Sequence, residues 1–325
     1  MGVEMEDVVL THYNSREDWL ASRDNGVGAS EAAALFGLSP WDSPLSLWSR
    51  KRGLVRDEDE AANEWLEIGL LTEPISAELY RRRTGRQLWA PSSSWAIAKH
   101  PTAPLFASID RWVIDAEGKP GRGVLELKNV GFGRTDEWDD GPPLRVQIQI
   151  QSQLAVTGFQ WGSAAAILGG NRFVWVDVER NDDFVAELEA LAADFWAKVQ
   201  SGAMPAADGS DATARALKRL FPRDDGTAVH LAGADVSAWN ALALARKTKA
   251  AAEKEEKRLK NLLAKSIGAA TFGLLPDGRL LSYRHRERGG YTVEPTTYRV
   301  LQEEEKPTSP DAFVDEVNKH VKENS

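Results

Sequence analysis

The apolar positions of this chain follow two periods, and their alternation outlines its elements. "GVGASEAAALFGLSP" reads as a helix start with Ser30 as cap and Gly37 as stop. "SPLSLWSRKRG" repeats the pattern, with Ser43 as cap, Pro44 at the first helical position and Gly53 past the end. In "NEWLEIGLLTEPISAELYRRRTG", Trp65, Leu66, Leu70, Leu71, Ile75 and Leu79 stand at helical spacing, and Pro74 is expected to bend or restart the helix after Glu73. The period then changes to two. Strands are predicted over 105–114 and 123–130, and two more flank the turn "GGN" in "SAAAILGGNRFVWVDVERN". "DDFVAELEALAADFWAKVQSG" returns to helical spacing, capped near Asp182. "AMPAADGSD" reads as a linker. A long, polar helix is predicted from about Asp235 to Ile267, then a hairpin turning at "PDG" and a polar tail after Gln302.

Composition narrows the class. The 325 residues are 42% hydrophobic and 27% charged, a globular balance. There is no cysteine, so disulfides, thiolate zinc sites and iron–sulfur clusters are excluded. No apolar run suits a membrane span, and "MGVEMEDVVL" lacks the regions of a signal peptide. The expected location is the cytoplasm, that of a host cell if the chain is phage-encoded. A net charge of −9 argues against a basic coat but allows a local basic groove.

The strand readings carry the chemistry. Alternation puts Phe106, Ser108, Asp110 and Trp112 on one face, and Val124, Glu126 and Lys128 on one face of the next strand. If those faces coincide, two carboxylates and an ammonium converge. An uncompensated charge in a half-buried strand costs several kcal/mol, on the order of the penalty for any buried ion. A divalent metal bound by hard oxygens gives the acids a use. A lysine beside them can orient or deprotonate a water, or stabilise an oxyanion at phosphorus. A salt bridge between Lys128 and either acid is the plain alternative.

"SID" followed after fifteen residues by "ELK" resembles the PD-(D/E)XK nuclease motif. The order of "GVGASEAAALFGLSPWDSPLSLW", "WLEIGLLTEPISAELYRRRTG", "HPTAPLFASID", "LELKN", "QIQIQSQLAVTG" and "FWAKVQSGAMP" resembles one branch of it, the lambda exonuclease/YqaJ-like phage recombination nucleases, over about 20–205. The resemblance implies an α/β (α+β) PD-(D/E)XK nuclease core, a mixed central sheet flanked by helices, over 1–205. Residues 206–325 would form a C-terminal region of linker, long-helix arm, small hairpin and tail. It implies Asp110, Glu126, the Leu127 carbonyl and Glu73 as metal ligands, and Lys128 as the group that positions the nucleophilic water. Gln151 matches the motif glutamine, with Gln149 second; Gln147 and Gln153 stand in the same stretch, which alternates like a strand where the family has a helix. Arg23 and Ser30 match a pocket for a DNA 5′-phosphate, where a helix start and a guanidinium suit an anion.

The chain departs from the pattern in having Arg111, not glycine, after Asp110. Arg111 is expected to face away from Asp110. His100 is a candidate ligand from a loop, and Trp41, Trp48 and Trp112 are candidates to stack on a frayed base. "YRRRTGR" with Arg50, Lys51 and Arg52 can supply a phosphate track. The implied activity is a Mg²⁺-dependent 5′-to-3′ exonuclease on double-stranded DNA ends, Mn²⁺ substituting, that leaves 3′ single-stranded overhangs. The implied partners are duplex DNA, a single-strand annealing protein and further copies of the chain in a ring trimer, with no membrane. An endonuclease of restriction or repair, and a non-catalytic DNA-binding recombination scaffold, are the alternatives.

Overall fold

The structure is a computed structural model that describes residues 8–55, 64–91 and 95–287. It divides into two units, residues 1–222 and 223–325. The first begins with β1 (Leu10–His12), α1 (Arg16–Arg23) and β2 (Val27–Gly28). A 3-10 turn (Ala29–Glu31) leads into α2 (Ala32–Leu35), and α3 (Pro44–Lys51) and α4 (Glu64–Thr84) follow. Then come β3 (Gln87–Trp89), β4 (Ala96–Lys99), β5 (Leu105–Ala107), β6 (Arg111–Asp115) and β7 (Gly123–Val130). After a 3-10 segment (Phe132–Trp138) lie α5 (Leu144–Thr157), β8 (Trp161–Leu168), β9 (Arg172–Glu179), α6 (Asp182–Ser201) and α7 (Asp211–Leu220).

The central sheet is mixed, in the order β3-β6-β7-β8-β9, with β7 and β8 parallel and the other pairs antiparallel. Helix α4 covers one face through Ala77 and Tyr80, which meet Val113, Leu125 and Leu127. Helix α5 covers the other through Val146, Ile150 and Leu154, which meet Val124 and Ala164. The expected mixed sheet flanked by helices is therefore present. A second sheet, β1-β4-β5-β2, lies beside α5, which touches strands of both sheets.

Several expectations change in detail. The single strand expected over 105–114 is two, β5 and β6, which belong to different sheets. The chain turns at Ser108–Asp110, so Asp110 sits where it passes from one sheet to the other. "QIQIQSQ" lies within α5, not a strand. Its polar–apolar alternation is misleading because most of α5 is enclosed. The restart after Glu73 does not occur: α4 runs through Pro74, which together with Leu70 lies exposed, so the carbonyl that loses its N–H partner can turn to water. Its apolar Trp65, Leu70, Leu71 and Ile75 are exposed, while Ser76, Ala77 and Tyr80 are buried. The boundary expected at 205 falls after Pro222, because α7 packs on α3. Ala212, Thr213 and Ala216 are buried there, and Thr213 Oγ1 donates to Ser43 Oγ at 2.7 Å. Ser43 caps α3 as expected, and Pro44 opens it.

The α5 face tolerates no extra volume at Gly162. A Cβ there would stand 2.5 Å from Val124 Cγ2 and 2.9 Å from Ile150 Cγ2. Gly162→Ala is therefore expected to destabilise the chain by about 1–3 kcal/mol through overpacking. Denaturant unfolding checks this, and an unchanged midpoint would contradict the packing.

The second unit holds α8 (Gly233–Ile267) and the hairpin of β10 (Phe272–Leu274) and β11 (Leu280–Ser282), as expected. No residue of α8 is buried. The tail after Gln302 lies outside the described residues. Among the described residues, no helix is long and apolar enough to cross a membrane.

Candidate active site

The register of β6 and β7 brings the predicted acids together. Trp112 pairs with Val124, so the face that carries Val124, Glu126 and Lys128 is continuous with that of Asp110. Asp110 Oδ2 accepts a 2.7 Å hydrogen bond from the Leu127 N–H, which ties the sheet corner to β7. Glu126 is 3% exposed and has both oxygens engaged. Oε1 lies 2.6 Å from Lys128 Nζ, and Oε2 accepts from Gln153 Nε2 at 2.6 Å. Lys128 Nζ also donates to Gln149 Oε1 at 3.1 Å.

The electrostatics follow from this crowding. Burial pushes the Asp110 carboxyl well above the usual aspartate range, and the nearby Glu126 and Glu73 carboxylates push it further. Lys128 and the Leu127 N–H oppose that rise without cancelling it. Burial alone would lower the Lys128 ammonium, but Glu126 and Asp110 raise it above its usual value. Lys128 thus keeps its proton and acts as a donor.

Helical geometry selects the glutamines. Residues four apart share one face of α5, so Arg145, Gln149 and Gln153 form a stripe towards β7. Gln151 lies off that stripe and is turned away. Its Nε2 donates to the Glu179 carbonyl at 2.7 Å, and its Oε1 accepts from the Asn181 N–H at 3.0 Å. Gln151, the first choice from sequence, therefore braces the passage from β9 to α6, and Gln149 and Gln153 meet the charged residues. Gln147 bonds the Pro142 carbonyl.

Glu73 does not join the two acids directly. It pairs with Arg111, whose guanidinium also donates to the Asp110 carbonyl. Arg111 thus neutralises Glu73 at the edge of the site. His100 is remote from this role: Nε2 lies 3.2 Å from Glu189, and Nδ1 accepts from the Thr102 and Ala103 N–H groups. Among the described residues, no group of three or more acidic or histidine side chains is gathered around one point. Asp110 and Glu126 still suit a hard divalent ion, which commonly takes one or two carboxylates and keeps water for the rest. Their mutual repulsion is relieved by such a charge.

The anion-binding elements are only partly as expected. The helix start at Ser30 is a 3-10 turn capped from Gly28, whose N–H donates to Glu31 Oε2 at 2.8 Å. Ser30 is exposed rather than acting as the cap. The Arg23 guanidinium stacks on Trp19 at 4.8 Å from the ring centroid. Buried Lys51 links the two regions, donating to the Arg23 carbonyl at 2.7 Å and lying 2.8 Å from Glu31 Oε2. The expected basic track is largely committed to the fold. Arg50 bonds Asp42 and Glu31, Arg52 the Val199 carbonyl, Arg81 and Arg82 Glu78, and Arg86 Asp177.

A cleft of about 500 Å³ opens beside Lys128, with Ser30 and Gln149 on its wall. Among the described residues, its charged lining is Lys128, Arg134 and Arg145, with no acid. Arg134 and Arg145 escaped notice in the sequence. Reading α5 as a helix would have revealed Arg145, four residues before Gln149 on the same stripe.

All these residues of the site fall within 18–160, the span that matches the family model of the YqaJ-like viral recombinase domain. An uncharacterized protein of Bacillus subtilis (strain 168), YqaJ, is 30% identical over 267 residues, covering 80% of this chain and 81% of that one. The chain belongs to the YqaJ-like viral recombinase family. Two solved structures overlap this YqaJ-like chain in part. An alkaline exonuclease from Laribacter hongkongensis is 22% identical and covers 57% of this chain and 93% of its own, with a TM-score of 0.46. A phage-related exonuclease from Haemophilus somnus 129PT is 12% identical and covers 61% and 93%, with a TM-score of 0.32. Within the YqaJ-like domain, the acids come from the sheet corner and β7, while the amides and Arg145 come from α5.

Proposed function

We propose that the chain is a metal-dependent DNA exonuclease of phage-type recombination. The observation that carries this reading is the convergence of Asp110, Glu126 and Lys128 beside a cleft whose charged walls, among the described residues, are basic. Asp110, Glu126 and the Leu127 carbonyl would hold Mg²⁺, with Mn²⁺ as substitute; Glu73 would join by leaving Arg111. The bound ion supplies Lewis acidity for hydrolysis of a phosphodiester. Gln153 fixes the Glu126 carboxylate, and Gln149 fixes the Lys128 ammonium. The protonated Lys128 orients water and stabilises negative charge on the phosphoryl oxygens.

The finer reading is 5′-to-3′ digestion of duplex ends to leave 3′ overhangs, in company with a single-strand annealing protein and in a ring of like chains. Arg23 and Ser30 would receive the terminal 5′-phosphate. Linear duplexes with 5′-phosphate or 5′-hydroxyl ends, and closed circles, test it in Mg²⁺ and in EDTA. The expected result is metal-dependent loss of linear DNA and survival of circles. A preference of roughly ten- to a hundredfold for 5′-phosphate is expected from one charge-assisted contact. Arg23→Ala should erase most of that preference and leave metal dependence unchanged. Cleavage of closed circles would favour an endonuclease, and equal rates on both ends would remove the phosphate pocket.

A further inference from the structure

Trp41 is placed unusually for a large aromatic. It lies in the loop before α3, is 58% exposed, and carries two guanidiniums against its ring. Arg134 approaches the centroid to 5.1 Å and Arg145 to 5.5 Å. They come from separate elements, the 3-10 segment after β7 and the first turn of α5. Both pair with one carboxylate: Arg134 Nε lies 2.8 Å from Glu137 Oε1, and Arg145 reaches Oε2. The carboxyl of Glu137 is held below its usual range, first by its hydrogen bond from Arg134. Two cations sharing one anion leave a positive surplus beside an open indole. The Trp41 backbone is tied down as well, its carbonyl accepting from Arg215 of α7 at 3.3 Å.

The same three residues line the cleft beside Lys128. Lys128 stands on the wall of this same cleft, with Arg145 and Gln149 beside it. The aromatic shelf is therefore continuous with the candidate catalytic lysine. An indole that offers a flat apolar surface beside a phosphate-sized positive charge suits a nucleotide better than a free anion or an apolar peptide. A base paired within a duplex is stacked on both faces, so the fitting ligand is an unpaired nucleotide. Trp48 and Trp112, by contrast, are buried in the core.

We propose that Trp41, Arg134 and Arg145 form a shelf for one unpaired nucleotide of the DNA end: the base stacks on Trp41, its phosphate takes the guanidiniums, and the strand is thereby led to Lys128. The proposal rests on the nuclease reading and adds a substrate site to it.

The test uses the full chain in EDTA, so that binding is read without turnover. Dye-labelled duplexes carry a short single-stranded end whose terminal nucleotides are either intact or abasic, and affinity is read by anisotropy. Wild type should bind the intact end more tightly than the abasic one, by roughly five- to a hundredfold for one stacked base. Trp41→Ala should lose that difference, and Trp41→Phe should keep much of it. Because Trp41 is mostly exposed, its alanine variant should melt like wild type, which is checked in parallel. If a folded Trp41→Ala keeps the wild-type difference, the shelf is overturned. If wild type hydrolyses DNA in Mg²⁺ yet binds both ends equally, the shelf fails and the nuclease reading stands. Wild type that neither binds nor cuts DNA would overturn both.

Discussion

Asp110→Asn and Glu126→Gln are expected to reduce hydrolysis of linear duplex DNA by about a thousandfold or more, a loss of ~4 kcal/mol in transition-state stabilisation. Asp110→Asn should do so without lowering stability in EDTA. The Asp110 carboxyl is pushed up by burial and by neighbouring acids, so its ionised form opposes folding. Asparagine keeps an oxygen to accept from the Leu127 N–H and removes the charge. The sign follows from proton linkage. The folded chain holds this proton at pH values where the unfolded chain has released it, so wild-type stability falls as pH rises above the ordinary aspartate range. Asp110→Asn should remove that part of the fall, and stabilisation of about 0.5–2 kcal/mol at neutral pH is expected, as for other relieved functional sites. Initial rates in Mg²⁺ and urea midpoints in EDTA measure both effects. Near-wild-type rates for either variant would show that these acids are not the hydrolytic site.

Glu126 and Lys128 were legible as neighbours on one strand face because a strand fixes side-chain direction every second residue. That Asp110 joins them depended on the register of β6 and β7 and on the corner at Ser108–Asp110, which a single strand over 105–114 does not contain. The glutamine was harder, because "QIQIQSQ" satisfies a period of two by sequence and of 3.6 in the fold. Enclosure of α5 on most sides left no polar face to announce its helix. The period decides the chemistry: as a strand, Gln149, Gln151 and Gln153 share a face; as a helix, Gln151 swings to β9. Fate of the basic residues was also hidden. "YRRRTGR" looks free in sequence, but partners such as Glu78 and Asp177 are a turn or a whole sheet away. Likewise α7, which follows the stretch read as a linker, gave no helical signal in sequence, because its buried side chains, Ala212, Thr213 and Ala216, are small and carry little hydrophobic signal.

Lys128→Met is expected to abolish hydrolysis as completely as loss of an acid, yet to leave the proposed metal site in place. The ammonium is 2.6 Å from Glu126 Oε1 and 3.1 Å from Gln149 Oε1, and is the cation that faces the paired acids. Methionine fills similar volume but leaves Glu126 beside Asp110 without that charge. Breaking a fully buried pair costs ~3–5 kcal/mol, but the Lys128 side chain is 32% exposed, so a loss nearer ~2 kcal/mol in EDTA is expected. A divalent ion bound by the two carboxylates restores the missing positive charge. Mg²⁺ should therefore raise the melting temperature of Lys128→Met by more than that of wild type, since a ligand stabilises the fold in proportion to its occupancy of the native state. Glu126→Gln should show little Mg²⁺ effect, because it removes one of the two proposed ligands. The pair of variants thus separates holding the ion from acting on water and phosphate. An active Lys128→Met would remove the lysine from the reaction. A folded, inactive Lys128→Met that no longer responds to Mg²⁺, while wild type does, would place the lysine in the support of the metal site.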